Sequence, residues 1–476
     1  MPTPKPKIFW LLLLILGLTI HAYAEDYTIG VAYGQYGDNL PSVQESIDLI
    51  QRLKVGRVKI YSTNPVILKA LSNTGIKVSV MVRNEDIAGL SASQSVADKW
   101  VNDNIVPFYP ATEINIILVG NEILTDYSNK QTWYQLVPAM QSIWQALVNY
   151  NLDHINVGTP LAMDMLGSSV PISAFPPSAG TFRDDIAETV MKPMLEFLHR
   201  TNSYFFMDVY SYFPYLFDPE DISLEYANFG ENDKKYTDPN GLVYTNMLDQ
   251  QLDAVVAAMS KMGYDDIKLA IAETGWPNAG DISQLGANIN YAALYNRRVI
   301  RRMVADPPLG TPRRPNQFIP TYIFLLYDED KKSGPGTERH WGFVYPNGTL
   351  MYEIDLTGKL QDSDYGPLPP PPPPYKGKLW CVADPTADVY ALPSAIDSAC
   401  SQGDSTCDAI QPGEPCYEPN TVIDHASYAF NSNWQRSKNF YSGCDFNKTA
   451  KLVTEDPSHG NCIYEFVDCV QKSVLC

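Results

Sequence analysis

Cysteine is missing from the first 380 residues; all eight occur from position 381 onward. The long N-terminal part must therefore stand on its hydrophobic core alone, while the tail reads as a small secreted domain stapled by disulfides. Metal binding by the tail is the weaker alternative, because no CxxC spacing occurs and the six histidines are scattered. Positive charge is also scarce: 35 Lys and Arg against 54 Asp and Glu leave a net charge of −19. Such a chain does not bind nucleic acid through a basic face, and a neutral partner fits better. Long apolar runs are absent after the start. "IFWLLLLILGLTI" (8–20), preceded by Lys5 and Lys7 and followed by "AYA" (22–24), reads as a secretory leader. It is shorter than the roughly 20 residues a membrane span requires. Cleavage is expected after Ala24, which takes the charge from −19 to −21 by removing the two lysines. The polar end "VQKSVLC" is no lipid-anchor signal. The expected product is a secreted monomer, extracellular or in a cell wall, with no cofactor and no metal. Asn347-Gly-Thr349 and Asn447-Lys-Thr449 are acceptor tripeptides for N-glycosylation in that setting.

Four regions follow: a signal peptide (1–24), a large domain (25–360), a linker (361–378) and a cysteine-rich module (379–476). Six prolines, 369–374, favour an extended spacer that holds two modules apart. Within the large domain, short apolar runs recur at 27–34, 56–62, 76–82, 114–122, 154–161, 204–212, 267–275 and 322–329. Stretches of helical spacing lie between them, at 43–54, 132–150 and 241–259 for example. Apolar runs alternating with helices predict buried parallel strands. Eight such units close into a (β/α)8 barrel, of the α/β class. An open doubly wound sheet is the alternative, but "GQYGDN" after the first run has the wrong glycine spacing for a dinucleotide loop.

In a barrel the C-terminal strand ends face the active-site mouth. Those ends supply Tyr33, Tyr61, Asn84, Asn121-Glu122, Tyr210, Tyr212, Glu273 with Trp276, and Glu329. No strand end supplies a Ser-His-Asp set, a Cys-His pair or a metal cluster. Carboxylates facing each other across aromatics suit glycoside hydrolysis, in which one acid protonates the leaving oxygen and a second carboxylate serves as nucleophile or base. Aromatic faces suit the C–H faces of pyranose rings. Composition does not say which Glu takes which role.

"GVAYGQYGDNLP", "LVGNE", "AETGWP" and "YDEDKKSGPGTERHWGF" occur in that order through residues 26–355. They resemble the signature blocks of the plant β-1,3-glucanases of glycoside hydrolase family 17. The resemblance implies a (β/α)8 barrel that cleaves internal β-1,3-glucosidic bonds with retention. It implies Glu122 as acid/base and Glu273 as nucleophile, with Asn121 on the 2-hydroxyl of the reacting glucose. Glu329, Lys332 and Glu338 match a supporting charged cluster, whose lysine would help keep Glu273 ionised. Tyr33 and Tyr210 match cleft-lining positions; Gly275 is expected to make room there, and Trp276 either to wall the site in contact with sugar or to pack beneath it. Asp330, Ser333 and Ser62 depart from the usual pattern, where Asn, Pro and an acid are the rule.

"LWCVADP" (379–385), "CDAIQPGEPCYEPN" (407–420), "HASYAFNSNWQ" (425–435) and "CDF" (444–446) resemble carbohydrate-binding module family 43, a β-1,3-glucan binder. That resemblance implies the pairings Cys381–Cys444, Cys400–Cys407 and Cys416–Cys462. Cys469 and Cys476 lie outside it, left to pair with each other or with another chain. Tyr428, Phe430 and Trp434 are candidates either to stack on glucose rings or to fill a small core. The function expected is endo-hydrolysis of β-1,3-glucan; a non-catalytic callose-binding protein and a glucan transglycosylase are the alternatives.

Overall fold

A computed structural model describes residues 27–167, 174–230, 234–373, 375–401, 405–437 and 444–469. The expected leader and Cys476 lie outside them. Nine parallel segments form one sheet: β1 (Gly30–Tyr33), β2 (Arg57–Ile60), β3 (Lys77–Val82), β4 (Glu113–Val119), β5 (Asn156–Gly158), β6 (Pro160–Ala162), β7 (Tyr204–Asp208), β8 (Lys268–Thr274) and β9 (Thr321–Ile323). Their order is β5-β4-β3-β2-β1-β9-β8-β7-β6. Only Thr159 separates β5, which pairs with β4, from β6, which pairs with β7. These two are one strand broken ahead of Pro160, so the ring is a barrel of eight. Each expected apolar run supplies one strand.

Two layers of apolar side chains make the barrel solid. Met81, Ile116, Leu118, Phe206, Ala270 and Ala272 pack inside it, and a larger core lies between the strands and the outer helices. The first helix, α1 (Val43–Arg52), starts on a capping box in which Ser42 and Glu45 satisfy each other's backbone N–H. The helix expected over 241–259 begins later, as α2 (Met247–Lys261). Asn246 caps it, its side-chain oxygen accepting the Asp249 N–H at 2.9 Å. The preceding residues instead turn at Gly241 (φ +87°) and pair Val243–Tyr244 with Tyr236–Thr237 in a hairpin.

A second core, separate from the barrel's, surrounds β10 (Lys378–Ala383) and helix α3 (Val422–Ser437). Strand β10 pairs antiparallel with Ala450–Val453 and Val467–Asp468. Disulfides Cys381–Cys444, Cys400–Cys407 and Cys416–Cys462 hold this module, and Cys469 is buried in its core. Phe430 and Trp434 are buried in that core as well. They leave no face for a sugar, so the stacking alternative is corrected for both; Tyr428 is partly buried against them. No helix among the described residues is long and apolar enough to cross a membrane.

Candidate active site

The seventh strand aims its carboxylate by an irregularity. Ile271 on β8 stands opposite Met207, yet Glu273 stands opposite Asp208. Two residues of β8 therefore oppose one of β7. Such a bulge re-aims the side chains that follow it, and Glu273 turns into the barrel mouth instead of outward with Ile271. Gly275 is required just beyond, because a Cβ there would lie 2.2 Å from the Phe324 carbonyl oxygen.

Three donors converge on Glu273. Lys59 Nζ lies 2.7 Å and the Tyr61 hydroxyl 2.5 Å from Oε1, and the Tyr210 hydroxyl lies 2.7 Å from Oε2. Burial alone would push this carboxyl up, but the Lys59 ammonium and the three hydrogen bonds outweigh it and hold the group below the usual range. Burial, then the charge of Glu273, raises both tyrosines well above their ordinary value, so they stay protonated donors. Lys59 is itself fully buried, and Asp208 lies 3.9 Å from its ammonium.

Glu122 is positioned by a tight turn after β4. Gly120 and Glu122 both take the left-handed conformation, at φ +71° and +48°. For a glutamate this backbone costs about 1–2 kcal/mol and persists only where neighbours fix it. They do: the Glu122 N–H donates to the Pro160 carbonyl at 3.1 Å, and the Thr125 N–H and hydroxyl donate to the Glu122 carbonyl. Asn84 grips both backbone groups of Asn121, at 2.8 and 3.1 Å. Arg183 ties the following loop down through the carbonyls of Leu124 and Asp164. Burial, then the negative charge of Glu273, pushes the Glu122 carboxyl up to about 7, with Lys59 opposing. One cleft thus holds one carboxyl ionised and another protonated near neutrality, the pairing that separates a nucleophile from an acid.

Tyr61, Asn121, Glu122, Tyr210, Phe213, Glu273, Phe324, Lys332, Glu338 and Trp341 line this cleft, whose volume is about 340 Å³. Of the residues expected at the site, Glu329 sits just behind. Its Oε1 accepts the Tyr36 N–H at 2.8 Å and its Oε2 pairs with Lys332 at 3.1 Å. Lys332 lies over the Phe324 ring, 4.4 Å from its centre. The lysine that holds Glu273 ionised is therefore Lys59, not Lys332, which is occupied by Glu329. Tyr33 and Trp276 are buried and do not line the cleft. Trp276 donates to the Gly286 carbonyl at 2.8 Å and packs against Tyr212, Tyr215 and Tyr295. Its place is beneath the site, and the aromatic wall is Tyr210 with Phe213, both half-buried, backed by the buried Trp341.

Lys59, Asp208, Arg183 and Trp341 were missed by sequence reasoning. A signal existed for Lys59, which alternates with Tyr61 in the otherwise apolar run "GRVKIYS". Trp341 stood inside the quoted block "YDEDKKSGPGTERHWGF". Among the described residues no group of three or more His, Cys, Asp or Glu is arranged to hold a metal ion. Asn347 and Asn447 are both exposed.

The model of glycosyl hydrolases family 17 matches residues 29–356, and that of the X8 domain, the module of carbohydrate-binding family 43, matches 379–451. A probable glucan endo-1,3-beta-glucosidase A6 of Arabidopsis thaliana is 48% identical over 442 residues, covering 92% of this chain and 91% of its own. A glucan endo-1,3-beta-D-glucosidase of Olea europaea is 37% identical over 457 residues, covering 96% and 97%. Among solved structures, a β-1,3-glucanase and allergen of Cryptomeria japonica pollen is 39% identical with a TM-score of 0.65, covering 69% of this chain and 99% of its own. With the paired carboxyls in a (β/α)8 mouth, these matches establish that the chain belongs to glycosyl hydrolase family 17 and carries a C-terminal X8 module.

Proposed function

We propose that this protein is a secreted endo-hydrolase of β-1,3-glucans, the callose and laminarin type, acting with retention of configuration. The observation that carries the reading is the pair Glu122 and Glu273, held in opposite protonation states within one cleft of a family 17 barrel. In the first step an electron pair of the Glu273 carboxylate attacks the anomeric carbon. The glycosidic bond breaks as Glu122 gives its proton to the leaving oxygen, leaving a glycosyl ester on Glu273 and an ionised Glu122. In the second, Glu122 takes a proton from water, whose oxygen displaces Glu273. Lys59, Tyr61 and Tyr210 keep Glu273 ionised and fix its two oxygens. Asn121, anchored by Asn84, is proposed to bind the 2-hydroxyl of the reacting glucose. Lys332 and Glu338 are proposed to meet sugar hydroxyls at the rim, with Glu329 holding Lys332, while Tyr210 and Phe213 offer ring faces. The three disulfides suit an oxidising, extracellular setting, and the X8 module is proposed to bind the same polymer and raise its local concentration.

The experiment is product analysis on laminarin with the wild type beside Glu273→Ala. A ladder of short β-1,3-oligomers from the wild type alone supports the reading. Binding without release from the wild type contradicts it, and, in a parallel run on laminarin oligosaccharides, products longer than the starting oligomers would identify a transglycosylase.

A further inference from the structure

The proline-rich segment is exposed but touches the barrel. Asn290 donates to the Pro369 carbonyl at 2.8 Å, and Pro371, Pro372, Pro373 and Tyr375 share a cavity with Leu285 and Tyr291 of the barrel. The chain enters the module along the barrel surface, and the two bodies meet again at a second place.

That place is the turn Asp445–Thr449. The Cys381–Cys444 disulfide ties its root to β10. Within it, Asp445 Oδ2 accepts the Lys448 N–H at 3.1 Å, and the Thr449 hydroxyl donates to the Phe446 carbonyl at 2.6 Å. Phe446 stacks on Phe430 of α3, 4.3 Å between ring centres. Phe446, Asn447 and Lys448 all take the left-handed backbone, with φ of 42°, 58° and 65°. Three consecutive non-glycine residues in that region persist only in a turn whose surroundings over-determine it.

Two hydrogen bonds leave this turn for the barrel, and both end on one loop. Lys448 Nζ donates to the Lys331 carbonyl at 3.0 Å, and the Gly334 N–H donates to Asp445 Oδ2 at 3.3 Å. Between their anchor points stands Lys332, the cleft-lining lysine paired with Glu329. The same loop is held from the barrel side: the Lys331 N–H donates to the Tyr36 carbonyl at 3.2 Å, and its ammonium lies 3.6 Å from Asp38.

We propose that the X8 module braces the catalytic cleft: its 445–448 turn fixes loop 331–334, and through that loop the position of Lys332. This rests on reading the cleft as the active site. A module that serves only as a tether concentrates polymer and does nothing for a substrate too short to reach it. A brace acts on every substrate, because small misplacements of positioning groups lower rates. Lys448 is then a positioning residue, acting through the loop and not on the sugar.

The test uses the full chain with Lys448→Ala and Lys448→Arg. It measures kcat and KM on laminaripentaose, together with pull-down by an insoluble β-1,3-glucan. The brace predicts a loss of roughly 3–10-fold in kcat/KM on the pentaose for Lys448→Ala. Glucan pull-down should be unchanged, and Lys448→Arg, which can still reach the carbonyl, should recover the rate. Wild-type kcat/KM in Lys448→Ala overturns the brace while leaving the site reading intact. Cross-linking of the wild type with a short amine-reactive reagent reads docking without any variant. A Lys448–Lys331 or Lys448–Lys332 link supports it, and links confined within each body overturn it. If the wild type fails to hydrolyse glucan at all, the site reading falls, and the cross-link still reports whether the bodies dock.

Discussion

Replacing Lys59 by Met is the perturbation with the clearest physical consequence. The ammonium is fully buried and 2.7 Å from Glu273 Oε1. Methionine keeps the length and apolar stem of the side chain and removes the charge. Breaking a buried ion pair by deleting one partner costs about 3–5 kcal/mol, since the remaining charge is left without its counter-ion. Glu273 must meet that cost whenever it is ionised, so its carboxyl titrates at higher pH. The proposed reaction needs Glu273 ionised and Glu122 protonated together. Raising the first toward the second, which stands at about 7, shrinks the population that carries both states. At about 1.36 kcal/mol per tenfold, the loss in kcat/KM is on the order of 10²–10⁴-fold. The assay is a pH profile of kcat/KM on laminarin oligomers, with thermal unfolding as a control for fold. The acid limb should move upward, toward neutral pH. A Lys59→Met enzyme within about threefold of wild type, with its acid limb in place, would refute the claim that Lys59 holds Glu273 ionised.

Further outcomes follow from the same geometry. The wild-type profile should be bell-shaped, rising on the acid side as Glu273 ionises and falling through about pH 7 as Glu122 loses its proton; a profile still rising above pH 8 would contradict the assignment of the acid. Asp208 is fully buried, and among the described residues neither of its oxygens has a hydrogen-bond partner; burial, then the charge of Glu273, raises its carboxyl well above the usual value. A folded-state value above the unfolded one means that folding takes up a proton, at a cost that grows as pH rises past the unfolded value. Asp208→Asn should therefore raise Tm relative to wild type, by more at pH 7 than at pH 4; a constant difference would count against it. Reducing the disulfides should remove about 4 kcal/mol from the module for each of the two longer loops, Cys381–Cys444 and Cys416–Cys462, which span 63 and 46 residues. Glucan pull-down should be lost on reduction while the cysteine-free barrel keeps its Tm.

The barrel was legible because its strands are buried on both faces and so read as continuous apolar runs. Glu122 and Glu273 were legible because they interrupt such runs at strand ends. What escaped the sequence depends on partners distant along the chain. The bulge that turns Glu273 inward is a register difference between β8 and β7. Lys59 gains its meaning only when β2 and β8 face each other across the barrel. Trp276 follows Glu273 so closely that it reads as a cleft wall, yet beyond the close approach of Gly275 to Phe324 its ring packs under the site, and Tyr210 and Phe213, just after β7, make the wall instead. In the module, aromatic spacing alone does not separate a sugar platform from a core; Phe430 and Trp434 belong to the core they share with Leu379, Trp380 and Tyr464.

The central claim is that Glu273 attacks the sugar directly while Glu122 moves the proton, and the anomer first released tests it most directly. Proton NMR during hydrolysis of a β-1,3-glucan oligomer distinguishes the fresh product before mutarotation. Two displacements at one carbon predict that the β-anomer appears first, with the α-anomer growing in only as the product equilibrates. Initial appearance of the α-anomer would mean that water attacks directly, and would contradict the role given to Glu273.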